Sequence, residues 1–375
     1  MAQIKVEQPD GGDPVRTFRV VDDDGVSLWY RSLGRNKKSC AINMRAPEGQ
    51  QLVRQLAAKC DVIVENFRPG VMEKWGLGPE VLRADNESLI YTRVSGYGQT
   101  GPYARRPGFA SAMGGLRYVN GFPGETPVRA NLSIGDTLAG IHAALGILLA
   151  LYSRQKAQIA SGDGKGQIVD VSIYESVFNL MEGLVPEFDR TGLVREPSGT
   201  SVTGIAPTNV YRCADGKQVI VSANMDSIYK RLMTEMGRED LMTAEYGTNQ
   251  GRVRHEKQID EAVGAWVGAR TADQVLERLN AISVPCSGIY SAREIMSDPH
   301  YAAREMIEQV DVNGRTLKIP AIPPKLSETP GHTDWAGPDL GTHTREVLRD
   351  LLGIRDDAKL RQLADAGVIG LAKSQ

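Results

Sequence analysis

The stretch VDVSIYESVFNLME, residues 169–182, sets a carboxylate where a strand-like alternation gives way to a helical pattern. Ser172 and Glu175 have the S-x-x-E spacing of a capping box, in which hydroxyl and carboxylate each satisfy an orphan amide at a helix start. The same geometry suits chemistry, because a helix N-terminus favours the ionised carboxylate and that form attacks acyl carbons. Glu175 is therefore a candidate nucleophile as well as a candidate cap, and a long, mostly apolar helix is expected to follow it.

Other stretches carry groups suited to holding a ligand. SGYGQTG (95–101) fits G-x-G-x-x-G through Gly96, Gly98 and Gly101. Pro102 and Pro107 deny it the long helix that would hold a pyrophosphate, so it reads as a glycine-rich loop over a site rather than a dinucleotide turn. ENFRPGVMEKWGLG places Asn66, Arg68 and Lys74 just past a predicted strand, where Arg can fork onto a phosphate and Lys supplies a point charge; a solvated loop has the same composition. Arg105 and Arg106 occupy the next such loop. Two basic loops leaving neighbouring parallel strands converge, which favours a phosphorylated ligand. His142 reads as an interior histidine and Asp136 as an N-cap.

The elements that must position these groups alternate in βαβ fashion. SCAINM (39–44), DVIVENF (61–67) and LIYTRVS (89–95) read as strands, with a helix opening at Pro47 and a short one near PEVLRA between them, so an α/β fold with a mostly parallel sheet is expected. From Asn209 the pattern changes to a hairpin with Asp215-Gly216 at its turn, helices near 225–237, 255–268 and 271–282, and a strand at VPCSGIY, expected to form a smaller α+β domain. A hairpin centred on Asn313-Gly314 and a helix around THTREVLRDLLG close the chain. The expected division is a large domain over 1–190, a small one over 209–305, and a segment 306–375 returning to the large domain.

Composition excludes several classes. A net charge of −2 with no strongly basic block argues against a nucleic-acid surface, and 41% hydrophobic with 24% charged residues is ordinary for a soluble chain. No run reads as long and apolar enough to span a bilayer; LAGIHAALGILLALY (138–152) is expected to be a helix buried inside a tightly packed core. Cys40, Cys60, Cys213 and Cys286 are scattered and the five histidines dispersed, so neither a disulfide framework nor a metal site is expected, and the setting reads as reducing cytoplasm.

Taken together, ENFRPG, SGYGQTGPY, RRPGF, GDTLAGIHAALGILLAL, GKGQIVDVSIYES, KLSETPG and LGTHTREVL resemble, in order and spacing, the family III coenzyme A transferases (CaiB/BaiF group) over nearly the whole chain. The resemblance implies a Rossmann-like large domain with a small α+β domain, and two subunits threaded as interlocked rings. It also implies transfer of coenzyme A between carboxylic acids, with acyl-CoA as substrate and no permanently bound cofactor. The family nucleophile, an Asp, is matched here by Glu175, which would form a mixed anhydride and then an enzyme-CoA thioester. Arg16, Asn66, Phe67, Arg68, Lys74 and Arg106 are carried over as coenzyme A contacts. The opening AQIKVEQPDGGDPVR resembles the family's second strand region, so an exposed strand edge and an incomplete nucleotide pocket are expected.

Alternatives remain. An α-methylacyl-CoA racemase would need a base in the loop RRPGF, where this chain has Phe109 and Ala110, neither of which moves a proton. A non-catalytic, coenzyme A-binding half of a heteromeric transferase is the other. Arg105 and Arg195 are candidates to meet a second carboxylate, as in a succinate-like substrate.

Overall fold

The computed structural model describes residues 3–372. The chain divides into two compact units. One takes the residues up to Ala110, Gly135–Ser176 and everything from Met296; the other takes Ser111–Ile134 and Val177–Ile295. In chain order the strands are β1 (Gln3–Glu7), β2 (Lys37–Ile42), β3 (Val62–Glu65), β4 (Ile90–Ser95), β5 (Ile168–Ser172), β6 (Thr208–Arg212), β7 (Gln218–Ser222), β8 (Cys286–Gly288), β9 (Ile307–Val312), β10 (Arg315–Pro320) and β11 (Ile369–Gly370).

The first unit holds the parallel strands. β1 lies parallel to β2, with β11 antiparallel on its other side, and β3, β4 and β5 form a parallel trio. β4 is buried at five of its six positions, as expected of a parallel strand covered on both faces. The helix Pro47–Ala57 opens on a proline at a position whose amide needs no partner, and buries Leu52, Val53 and Leu56 against Cys40, Ile42 and Tyr91. The Asn36 amide, which donates to the Trp335 carbonyl, and the hairpin β9–β10 belong to the same unit; the hairpin's two-residue turn sets Asn313 at φ 54° and Gly314 at φ 77°, the left-handed pair that such turns require.

The long helix Ile134–Ser161 departs from expectation. It runs 28 residues, it is long and apolar enough to cross a membrane by length and composition, and only 22% of its most apolar stretch is buried. Its small residues line the face that meets the sheet. Ala139 and Ala143 pack on Val94, Val169 and Val171, and at Gly146 a Cβ would lie 2.6 Å from Val169 Cγ1, so this face must stay small to approach the sheet. The opposite face, with Ile141, Leu145, Leu148 and Leu149, is exposed. The helix expected after Ser172 is likewise shorter than the pattern suggested: Ile173–Phe178 ends in a turn at 179–180, and Glu182 in the left-handed region (φ 45°) precedes a second helix, Leu184–Thr191.

In the second unit β6, β7 and β8 form an antiparallel sheet packed by the helices Asp226–Met236, Glu256–Gly268 and Ala272–Ala281. Its centre holds an ion. Arg252, wholly buried, donates to the carbonyls of Ala206, Tyr246 and Asn224, pairs with Asp226 and lies over the Tyr229 ring. Replacing Arg252 with Met strands the buried carbonyls of Ala206 and Tyr246 and the half-buried one of Asn224, and is expected to destabilise the protein by about 3–5 kcal/mol, read by urea unfolding. An unchanged unfolding midpoint would contradict that role.

Candidate functional site

The pairing of β3, β4 and β5 sets the site's location. Glu65 lies opposite Arg93 and Ser95 opposite Ser172, so the loops following all three strands leave from one sheet edge, the carboxyl ends. Ligands of parallel sheets collect there.

Glu175 stands at that edge. Ser172, the last residue of β5 and only 1% exposed, donates from Oγ to Glu175 Oε2 at 2.5 Å and accepts from the Glu175 amide at 3.3 Å. The hydroxyl thus caps the helix as the spacing suggested, while the carboxylate turns to the hydroxyl itself. The Tyr174 hydroxyl donates to Oε1 at 3.2 Å, and the neighbouring Glu175 charge holds the Tyr174 phenol above its ordinary range. The Glu175 residue as a whole is exposed, so a buried donor orients a carboxylate that solvent or substrate can reach.

The glycine-rich loop is stitched along this edge. Gly98 (φ 84°) donates its amide to Ser95 Oγ, the Gln99 amide reaches Asp170 Oδ2, and Gly96 accepts from the Tyr174 amide. No long helix follows; the chain stays irregular to the short 3-10 turn Ala110–Gly114, as Pro102 and Pro107 required. The Tyr97 ring lies 6.2 Å from that of Tyr174 and 6.0 Å, edge-on, from Tyr103, whose face carries the Arg106 guanidinium at 4.2 Å. A tyrosine series therefore connects Arg106 to Glu175.

The loop after β3 gathers the next group. Phe67 packs edge-on against Trp75 at 5.1 Å, while Asn66, Arg68 and Lys74 are exposed and their side chains make no hydrogen bond or ion pair among the described residues. Beneath them Arg93 donates to Glu65 at 2.8 Å and to Glu73 at 2.7 Å, and Glu65 also accepts from the Phe67 amide at 2.7 Å. Burial, with Glu73 adding to it, holds the Glu65 carboxyl above the usual carboxylate range despite Arg93. Arg93, Glu65 and Glu73 were not picked out in the sequence; the signal available was a lone arginine in the apolar run LIYTRVS.

Arg16 is placed differently from these exposed groups. It is 5% exposed, donates to both Glu7 oxygens at 2.8 Å, to the Tyr30 hydroxyl at 2.6 Å and to the Pro338 carbonyl at 3.0 Å, so its guanidinium ties β1 to the chain's last third. Arg195, in the second unit, is drawn to Glu182 and Glu187, whereas Arg105 is exposed and has no such partner among the described residues. The cysteines are free and burial pushes every thiol up, Cys40 to about 12, which leaves no activated sulfur. Among the described residues no cluster of His, Cys, Asp and Glu could hold a metal ion. Phe109 is two-thirds exposed and Ala110 buried, and neither side chain titrates.

Comparison with known proteins decides the family. The sequence model of CoA-transferase family III matches residues 3–344. The chain belongs to that family. It is 46% identical over 359 residues to the succinyl-CoA–D-citramalate CoA-transferase of Chloroflexus aurantiacus, covering 94% of this chain and 88% of that protein. The beta subunit of the same organism's succinyl-CoA–L-malate CoA-transferase is 40% identical over 362 residues, with 94% and 88% covered. A crystal structure of a CAIB/BAIF family protein from Brucella suis superposes with a TM-score of 0.79 at 29% identity, covering 93% of this chain and 91% of that one. The expected α/β fold of the CaiB/BaiF type and the CoA-transferase activity therefore stand.

The Glu7–Arg16 pair yields a test. Burial alone would raise the Glu7 carboxyl, but the Arg16 hydrogen bonds and charge, with Lys5 and Ser39, outweigh it and hold it below the usual carboxylate range. A depressed folded-state pKa contributes stability that is present above the unfolded value and is lost as pH falls through the folded one. Arg16→Met is expected to cost about 3–5 kcal/mol near neutrality and to flatten the acid limb of stability against pH, measured by urea unfolding. Full stability with a raised KM for acyl-CoA would instead make Arg16 a ligand contact.

Proposed function

We propose that this transferase moves coenzyme A from succinyl-CoA, or a similar dicarboxylic thioester, to a free dicarboxylic acid, with Glu175 as the covalent acyl carrier. The carrying observation is the exposed Glu175 carboxylate, fixed at the sheet edge by Ser172 and Tyr174. Oε1, with the weaker bond, attacks the donor's thioester carbon; the C–S bond breaks and the thiolate leaves, giving a glutamyl mixed anhydride. The thiolate then attacks Glu175 Cδ and expels the donor acid, leaving a glutamyl-CoA thioester. The acceptor carboxylate reverses the sequence and departs as its CoA ester. No net proton moves. The dicarboxylate reading draws on the names of the relatives, each a succinyl-CoA-dependent transferase. Arg105 is the unengaged cation nearest in sequence to this loop for a second carboxylate.

Asn66, Phe67, Arg68, Lys74 and Arg106 are the proposed coenzyme A contacts, with Arg68 and Lys74 meeting phosphate; Arg16, also expected as a contact, is buried against Glu7 and Ser39 and instead fixes the separate sheet that holds β1 and β2. The working form is a dimer of this chain, interlocked as the family resemblance implies. The exposed apolar face of Ile134–Ser161, with Ile141, Leu145, Leu149 and Tyr152, supports a partner that covers it. The alpha and beta subunits of the malate transferase supply the heteromeric alternative. The domain limits are read as 1–190, 209–305 and 306–375, and a reducing cytoplasm suits the free cysteines.

Incubating the protein with succinyl-CoA and a panel of free acids, and following new CoA esters by mass spectrometry, is expected to give transfer to four- and five-carbon dicarboxylates and none with Glu175→Gln. Full activity in Glu175→Gln would defeat the assignment. Arg68→Ala and Lys74→Ala are each expected to raise KM for acyl-CoA about tenfold, the loss of one charge-assisted bond, with little change in kcat and a reduced dependence on salt. An unchanged KM in both would remove this loop from the coenzyme A site.

A further inference from the structure

Resting on the Glu175 reading, two of the reaction's steps need an oxyanion donor that the relatives' names do not identify. When thiolate attacks the anhydride, and again when the acceptor acid attacks the thioester, the electrophilic carbon is Glu175 Cδ itself. Negative charge then develops on the glutamyl oxygen that stays behind. That oxygen is Oε2, because Oε1 becomes the bridging atom of the anhydride and is later replaced by sulfur.

We infer that the Ser172 hydroxyl is the oxyanion donor for the glutamyl carbon. Three observations fit. Ser172 Oγ is already 2.5 Å from Oε2, the distance of a strong bond to a charged oxygen. Its side chain is almost wholly buried at the end of β5, whose register with β4 through Ser95 fixes its direction, so the donor requires no reorganisation during the reaction. The single hydroxyl proton points toward the carboxylate because Oγ accepts from the Glu175 amide at 3.3 Å on another side. Ser172 keeps its proton throughout: as each C–O or C–S bond forms at Cδ the electron pair moves onto Oε2, is held by the hydroxyl, and returns as the leaving group departs. The Tyr174 hydroxyl, bound to Oε1, cannot do this, since that oxygen becomes the bridge.

The first step is different in kind, because its oxyanion lies on the substrate carbonyl. Removal of the hydroxyl therefore slows these steps more than the first, which loses only the orientation that Ser172 gives Glu175. With succinyl-CoA alone, free-thiol release in Ser172→Ala, titrated by a disulfide reagent, is expected to fall several-fold less than thioester formation. Formation of the Glu175-CoA thioester, followed by intact-protein mass spectrometry after quenching, should fall about 10²–10³-fold, the usual cost of one oxyanion donor. The stalled anhydride then hydrolyses, so the variant gains succinyl-CoA hydrolysis as it loses transfer. Ser172→Thr, which keeps the hydroxyl, is expected to restore the thioester. If Ser172→Ala does not fold, Ser172→Cys, of similar shape but a weak donor, replaces it.

Thioester formation at the parent rate in Ser172→Ala would overturn the inference while leaving Glu175 as carrier. Equal loss of thiol release and thioester in Ser172→Ala, not restored by Thr, would also overturn it and make Ser172 a helix cap only. Absence of any adduct on Glu175 in the parent enzyme would defeat the carrier reading itself, a result distinct from both.

Discussion

The structure depends on a buried serine hydroxyl holding the carboxylate three residues on. Ser172 is the last residue of a parallel strand and cannot move without displacing Ser95 and the glycine-rich loop bonded to it. Its bond to Oε2 turns the Glu175 arm back toward the sheet. A glutamate reaches about 1.5 Å further than an aspartate, and at an attack distance such an offset matters. In the proposed reaction, folding the longer arm against Ser172 and Tyr174 offsets that reach.

Both parallel-stranded sheets of the first unit are held by buried charge as well as by packing. Arg93 ties the end of β3 to the short helix carrying Lys74, and Arg16 ties β1 to the segment around Pro338. Buried ion pairs of this kind add little net stability, because desolvation offsets the attraction, yet removing one partner is costly. Their effect is geometric. The loops that carry the exposed Asn66, Arg68 and Lys74 leave the sheet in fixed directions, while the side chains themselves stay available.

What could be read from the sequence was what is local. Pro47 and Pro79 opened helices where a missing amide costs nothing, and Asn313-Gly314 fixed a two-residue hairpin turn. The S-x-x-E spacing correctly put a hydroxyl at the Glu175 amide. What could not be read depends on distant partners. Arg16, carried over by resemblance as a coenzyme A contact, is instead enclosed by Glu7, Tyr30, Ser39 and Pro338, which only the fold brings together. The apolar run 138–152 looked like core because periodicity reports polarity, not which neighbour covers it; its small face meets the sheet and its large face is open. The helix Asp357–Asp365 and the two-residue strand β11 were missed, the latter being too short to carry a period.

The central claim is that the Glu175 carboxylate exchanges oxygen with its substrates. In the anhydride route the acceptor acid leaves one of its own carboxylate oxygens on the enzyme, and the donor acid departs with an oxygen taken from Glu175. Turnover with an acceptor acid labelled in its carboxylates with oxygen-18, followed by digestion and mass spectrometry of the peptide spanning Glu175, tests this directly. The account predicts label accumulating in that glutamyl carboxylate. An unlabelled Glu175 after many turnovers, with all the label retained in substrate and product, would contradict it.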